Sequence, residues 1–175
     1  MPVLPLLQGY PPEVQAQAEA LLTSGELQAR LAKRYPERNT IRSNKELFAY
    51  VQELKARHMR TAPPLAKVSF DPRISSVQNA LGLHVTSQVV HGGRLSTRRE
   101  LRVASVFKDT PAAFLRMIVV HELAHMKHGA HDQAFYKLCL HMEPEYHRLE
   151  LDLRLYLCAH EAADSSARRT PPPTP

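Results

Sequence analysis

The string His121-Glu122-Leu123-Ala124-His125 most constrains what this chain can fold into. Its two histidines are four residues apart, so on a helix they project from one face and both imidazoles can reach one metal ion. Glu122 then lies about a quarter-turn from the histidines, where it can reach a water at the metal without binding the metal itself. Two ligands and a general base in this spacing are typical of zinc metalloproteases.

The residues around this string predict a helix. Thr110 is the expected N-cap, Pro111 the first helical position and Gly129 the end. No Gly or Pro occurs between Pro111 and Gly129, and apolar residues recur there at helical spacing. Because three consecutive apolar residues, 118–120, precede the polar string, we expect the motif to be half buried, where water is restricted.

A catalytic zinc site needs a third protein ligand. The candidates that follow the string are His128, His131, His141 and His147. His128 shares a face with His121, but on a straight helix the two would lie about 10 Å apart along the axis, too far for one ion. His131 follows Gly129-Ala130, where the chain can turn back. We therefore favour His131 as the third ligand, with His128 and His141 as alternatives.

Other polar residues have both a functional and a structural interpretation. Asp132 would either partner a ligand imidazole or serve as the N-cap of the next helix. Tyr146 and Arg148 could stabilise an oxyanion in the pocket, and the plainer alternatives are a packed tyrosine and a solvated arginine. His58 lies on an apolar helical stripe, so we interpret it as a packed residue.

Composition indicates one soluble domain with a helical extension. The 175 residues are 43% hydrophobic, which is enough for one core. The formal net charge of +6 allows weak electrostatic contact with nucleic acid, although no block of like charges occurs. Cys139 and Cys158 form no C-x-x-C pair and are expected to be reduced. We expect no signal peptide, no membrane span and a cytoplasmic location.

Hydrophobic periodicity predicts an α+β fold. Besides the motif helix, we expect helices at 13–22, 26–35, 43–60, 132–141 and 145–161, and strands at 65–70, 83–90 and 101–107. Ser24-Gly25 should break the first two helices apart, and Ser43-Asn44-Lys45-Glu46 is a capping box that begins the third. The strands should form a small antiparallel sheet packed on the motif helix, with a turn at His91-Gly92-Gly93-Arg94.

Residues 118–157 resemble the metal-binding end of the YgjP-like metallopeptidase domain, which is related to the WLM and SprT-like groups. The shared features are the H-E-x-x-H string, a downstream histidine, a helix with aromatic residues and a Pro-x-Tyr segment. They correspond here to 121–125, His131, Phe135-Tyr136 and Pro144-Glu145-Tyr146. The resemblance covers roughly residues 65–157. It implies a zincin-like fold, Zn²⁺ held by His121, His125 and His131, Glu122 as catalytic base, and hydrolysis of a protein or peptide substrate.

We accordingly expect residues 1–62 to be a helical N-terminal region, 63–161 a zincin-like metallopeptidase domain and 162–175 a disordered tail. An edge strand at 101–107 would hold an extended peptide by strand addition. The alternative function is a zinc-stabilised binding module, associated with nucleic acid and with little hydrolysis. Glu122 distinguishes the enzyme from the binding module, since a structural zinc site closes all four positions with protein ligands and needs no neighbouring carboxylate.

Overall fold

A computed structural model describes residues 5–74, 84–91 and 94–169. The helices are α1 (Pro12–Ser24), α2 (Glu26–Arg34), α3 (Asn44–His58), α4 (Ala112–His125), α5 (Gln133–Met142) and α6 (Tyr146–Arg169). The strands are β1 (Lys67–Asp71), β2 (His84–His91) and β3 (Arg94–Ala104), and short 3-10 turns occupy Pro5–Leu7 and Ser105–Lys108. The predicted α+β, zincin-like class is confirmed.

The chain divides into two compact units. The first comprises Met1–Pro36 and Glu150–Pro175, and the second comprises Glu37–Leu149. α3, which we assigned to the N-terminal helical region, lies in the second unit, where it packs against β1.

In the first unit, Gly25 separates α1 from α2, as the sequence predicted. Its φ of 75° is in the left-handed region, which glycine adopts at little cost. Apolar residues of α2 and α6 form a small core, which consists of Leu27, Leu31 and Ala159 with partly buried neighbours. The buried carboxylate of Asp152 accepts hydrogen bonds from Arg34 (2.8 Å) and the Tyr35 hydroxyl (2.6 Å).

β3 is the central strand of a three-stranded sheet with the order β1-β3-β2. β2 and β3 are antiparallel, with His91 opposite Arg94, as the predicted hairpin requires; Gly92 and Gly93 lie outside the described residues. β1 runs parallel to β3 and pairs with it on the side opposite β2. The prediction of an antiparallel sheet therefore holds for the pair β2–β3 and not for the pair β1–β3.

The prediction of an edge strand at 101–107 was wrong. β3 spans 94–104, is paired with a strand on each side, and is followed by the 3-10 turn. Only its apolar end was recognised from the sequence, because 97–100 read Thr-Arg-Arg-Glu and lack an apolar alternation.

α3 begins as its sequence predicts. The Ser43 hydroxyl accepts a hydrogen bond from the Glu46 amide (3.2 Å), and the Glu46 carboxylate accepts one from the Ser43 amide (2.9 Å). This reciprocal capping box satisfies two amide groups that the helix itself leaves unpaired. The two backbone bonds to Glu46, from Arg42 and Ser43, also lower the pKa of its carboxyl group.

α4, the motif helix, is buried on nearly all sides, from Phe114 and Leu115 through Met117 to Ala124. The motif is therefore more buried than we predicted, since residues 121–124 are buried and only His125 is half buried. The N-cap is Pro111, not Thr110, whose hydroxyl donates to the Phe107 carbonyl at 3.2 Å instead. The helix ends at His125, before the expected end at Gly129, because residues 126–127 form turns.

Residues 37–41 hold the start of α4 in place. The buried Asn39 side chain donates to the carbonyls of Ile41 and Phe107, both at 3.0 Å, and accepts from the Ile41 amide at 2.9 Å. In the backbone, the Ala112 amide donates to the Glu37 carbonyl at 2.9 Å. The segment before α3 is thereby tied to the segment that leads into the motif helix.

α6 continues to Arg169, so 162–169 of the expected disordered tail is helical. The reason is the sequence of this stretch, which includes Ala162, Ala163 and Ala167 and no proline before Pro171. Residues 170–175 lie outside the described part of the chain. None of the helices described here combines the length and apolar character that crossing a bilayer requires.

We expect Asn39→Ala to lower the free energy of unfolding by about 1–3 kcal/mol, because it leaves buried backbone groups without a partner. Denaturant titration would measure the change. The exposed neighbouring position, changed as Thr40→Ala, is the control and should stay within about 0.5 kcal/mol of the wild type. Equal effects of the two substitutions would show that Asn39 does not anchor the start of α4.

Candidate metal centre

Three imidazoles converge at the C-terminal end of α4. The Nε2 atoms of His121 and His125 are 3.1 Å apart, and that of His131 lies 3.3 Å from the first and 2.9 Å from the second. Burial decreases along this set, from buried His121 through intermediate His125 to exposed His131. The cluster is therefore accessible from the side of His131.

His125 presents a nitrogen lone pair to this cluster. Its Nδ1 lies 3.0 Å from the carbonyl oxygen of His128. A carbonyl oxygen only accepts, so Nδ1 carries the proton of the neutral ring, and Nε2 is unprotonated. Burial and the nearby His131 lower the pKa of His125, although the hydrogen bond to His128 acts in the opposite direction. The lowered pKa favours the neutral ring.

His121 has its partner on the opposite side of the ring from the cluster. Its Nδ1 lies 2.6 Å from the hydroxyl oxygen of Tyr146, and both residues are buried. Tyr146 is the first residue of α6, and its ring is nearly parallel to that of His121, at an angle of 15°.

His131 reaches the cluster from the turn that connects α4 and α5. The next residue, Asp132, caps α5 by accepting a hydrogen bond from the Phe135 amide at 2.9 Å. Of the two interpretations of Asp132, the N-cap is the one that the structure bears out. The buried Phe135 ring lies 4.7–5.1 Å from the three imidazole centroids, so one apolar surface supports all three histidines.

Glu122 is the unusual group of the site. The residue is buried, and within the described part of the chain neither carboxylate oxygen has a hydrogen-bond partner. Burial raises the pKa of Glu122 to about 8. A divalent cation nearby would act in the opposite direction, since positive charge favours the carboxylate form.

These groups fit a divalent cation. At zinc–nitrogen distances of about 2.0–2.1 Å, tetrahedral geometry puts ligand nitrogens about 3.3–3.4 Å apart, close to the spacing of these Nε2 atoms. Lone pairs that face one another repel unless a proton or a cation lies between them. The buried Glu122 carboxyl, which lacks a partner within the described part of the chain, is also a group that a cation would stabilise in its charged form.

The other candidate residues lie elsewhere. His141 packs edge-on against His58, with ring centroids 5.4 Å apart, and burial, His141 and two arginines lower the pKa of His58. The exposed Arg148 pairs with Glu145 at 2.7 Å, as a solvated arginine would. His128 contributes its backbone carbonyl, not its ring, to the surroundings of His125.

Sequence reasoning missed two contacts of the site. The carbonyl of His128 could not be identified because it is a backbone group, and every residue type carries one. Tyr146 was considered as an oxyanion stabiliser or a packed tyrosine, and it is packed, but the contact of its hydroxyl with the ring nitrogen of His121 that faces away from the cluster was not foreseen.

Comparison with known proteins identifies relatives of this chain. The family model described as "YgjP-like, metallopeptidase domain" matches residues 65–156, a range that contains the three histidines, Glu122 and Tyr146. A protein of Escherichia coli (strain K12), named UTP pyrophosphatase, is 50% identical over 154 residues, which are 88% of this chain and 92% of the relative. No solved structure gave a match.

We expect His131→Ala to weaken zinc binding strongly, while His128→Ala binds zinc nearly as the wild type does. The first substitution removes an Nε2 of the cluster, and the second retains the backbone carbonyl that contacts His125. Zinc titration of the metal-free proteins against a competing chelator would measure both affinities. The reverse order of the two variants would contradict the three-histidine centre.

Proposed function

Since the chain belongs to the YgjP-like metallopeptidase domain family, we propose that it is a hydrolase with one divalent cation held by His121, His125 and His131. Zinc is the cation that we favour, because it suits imidazole ligands and catalytic zinc sites use three protein ligands. In the described residues the cluster consists of these three side chains. A structural site would use four ligands, so the arrangement favours catalysis over a zinc-stabilised binding module.

The buried carboxyl of Glu122 is the observation that carries this proposal. A buried polar group without a hydrogen-bond partner reduces stability, and such groups are concentrated where chemistry requires them. Glu122 is also adjacent in sequence to His121, in the spacing that places a general base at a zinc site. We assign it the removal of a proton from the attacking water. When bound, zinc supplies Lewis-acid chemistry, which stabilises the negative charge that develops in the reaction.

A nucleoside triphosphate is the substrate class that we favour. The relative named UTP pyrophosphatase shares half of the aligned residues over most of both chains. The net charge of +6 also suits a polyanionic substrate. In the proposed reaction, the water oxygen bonds to the α-phosphorus, and the bond from that phosphorus to the α,β-bridging oxygen breaks. Pyrophosphate leaves, and Glu122 receives one proton of the water.

Hydrolysis of a peptide bond is the second candidate, and the description of the family as a metallopeptidase domain favours it. The same residues would serve, with Glu122 passing the proton on to the leaving amine. An extended peptide usually binds by adding a strand to the edge of a sheet. Because β3 is central, such an edge belongs to β1 or β2 in the described sheet, not to 101–107.

We expect Glu122→Gln to lower kcat by about 10²–10⁴-fold on the substrate that the wild type hydrolyses, because the amide cannot accept the proton. Zinc content should stay at the wild-type level, since Glu122 is not a ligand in this proposal. The assay is release of pyrophosphate and nucleoside monophosphate from UTP by the zinc-loaded protein, run in parallel with cleavage of an unstructured protein such as casein.

Glu53→Gln is a matched control, because Glu53 is an exposed carboxylate of α3 that pairs with Arg57. Its activity should equal that of the wild type. Wild-type turnover by Glu122→Gln would contradict its role as general base. Cleavage of the protein without release of pyrophosphate from UTP would overturn the nucleotide proposal in favour of the peptidase.

A further inference from the structure

The hydrogen bond between His121 and Tyr146 bears on which nitrogen of His121 can bind a cation. The Nδ1 atom is 2.6 Å from the phenol oxygen, and Nε2 faces the other two histidines. A neutral imidazole carries one proton, and the nitrogen that binds a metal must be the unprotonated one. For Nε2 to bind, Nδ1 must therefore carry the proton and donate it in a hydrogen bond.

The phenol oxygen of Tyr146 is positioned to accept that hydrogen bond. Tyr146 is 0% exposed and His121 is 4% exposed, so water has little access to either group. If the phenol were removed, a buried N–H would lose its acceptor, which disfavours the tautomer that leaves Nε2 unprotonated. The backbone carbonyl of His128 has the corresponding role at His125.

We propose that Tyr146 is a positioning residue that holds His121 in the tautomer and orientation required for a metal ligand. The proposal rests on the proposed function in one respect, that the three histidines hold a divalent cation. It differs from a role in stabilising an oxyanion, because the hydroxyl is buried and bonded to the ring nitrogen that faces away from the cluster. Tyr146 therefore acts on the reaction through His121 and does not contact substrate.

Removing only the hydroxyl tests this role. Partners of metal-binding histidines typically contribute about 10–100-fold to metal affinity, so Tyr146→Phe should bind zinc that much more weakly than the wild type. The control is Tyr50→Phe, which removes the hydroxyl of a partly buried tyrosine that is bonded to Arg116 of α4 and is not a member of the three-histidine cluster. Zinc affinity of metal-free full-length protein is measured by competition with a chromophoric chelator.

A purely structural role predicts a different result. Both Phe variants would then lower the thermal midpoint of the metal-free protein, and neither would change zinc affinity. If Tyr146 positions His121, zinc affinity falls only in Tyr146→Phe, and excess zinc restores its turnover, whereas excess zinc does not restore that of Glu122→Gln. Zinc affinity of Tyr146→Phe within threefold of the wild-type value would overturn the proposal.

A measurement on the wild-type protein covers the case in which Tyr146→Phe does not fold. Long-range proton–nitrogen NMR correlations of ¹⁵N-histidine-labelled, zinc-loaded protein distinguish the two tautomers. We expect the proton of His121 on Nδ1, and a proton on Nε2 would overturn the proposal. If the wild type binds no zinc, the proposed metal centre fails and this role fails with it; if the wild type binds zinc and Tyr146→Phe binds it equally well, this role alone fails.

Discussion

The main constraint on this structure is that α4, which is buried on nearly all sides, carries the polar side chains of His121 and Glu122. From Met117 to Ala124 every residue of α4 is buried, so the polar atoms of His121 and Glu122 must find partners within the protein or remain unpaired at a cost. The Nδ1 atom of His121 has the Tyr146 hydroxyl, and the Nδ1 atom of the less buried His125 has the His128 carbonyl. The carboxyl of Glu122 has no partner among the described residues, and this is why we propose a chemical role for it.

The elements that flank α4 determine where these groups lie. At its start, the amide of Asn39 bridges residues 37–41 to the carbonyl of Phe107. At its end, the helix stops at His125, and the chain turns within a few residues into α5, which begins beside His131 and is capped by Asp132. His131 can approach the other two histidines because α4 ends early; a helix that continued to Gly129 would carry the chain further along its axis.

Patterns that act over short distances in the sequence could be recognised, and contacts between distant segments could not. The H-E-x-x-H spacing, the capping box at Ser43 and the break at Gly25 each depend on residues within one or two turns, and each matches the structure. The full burial of α4 could not be predicted, because it depends on which elements surround the helix. The contact of Tyr146 with His121 spans 25 positions and has no periodicity. β3 was misplaced because its polar first half lacks an apolar alternation.

The proposed metal centre suits both proposed substrates because the two hydrolyses require the same chemical groups. Hydrolysis of a phosphoanhydride and of a peptide bond each require a water that loses a proton and stabilisation of developing negative charge. In the proposed function, the buried carboxyl and the three converging imidazoles would serve either reaction, so the contacts that distinguish the two substrates would lie outside the centre. The cluster opens on the side of His131, its exposed member, and the half-buried Tyr136 ring lies 6.4 Å from that imidazole. Under the proposed function, the choice between the two substrates would be made at the surface beside His131, where a planar base could stack on the ring of Tyr136.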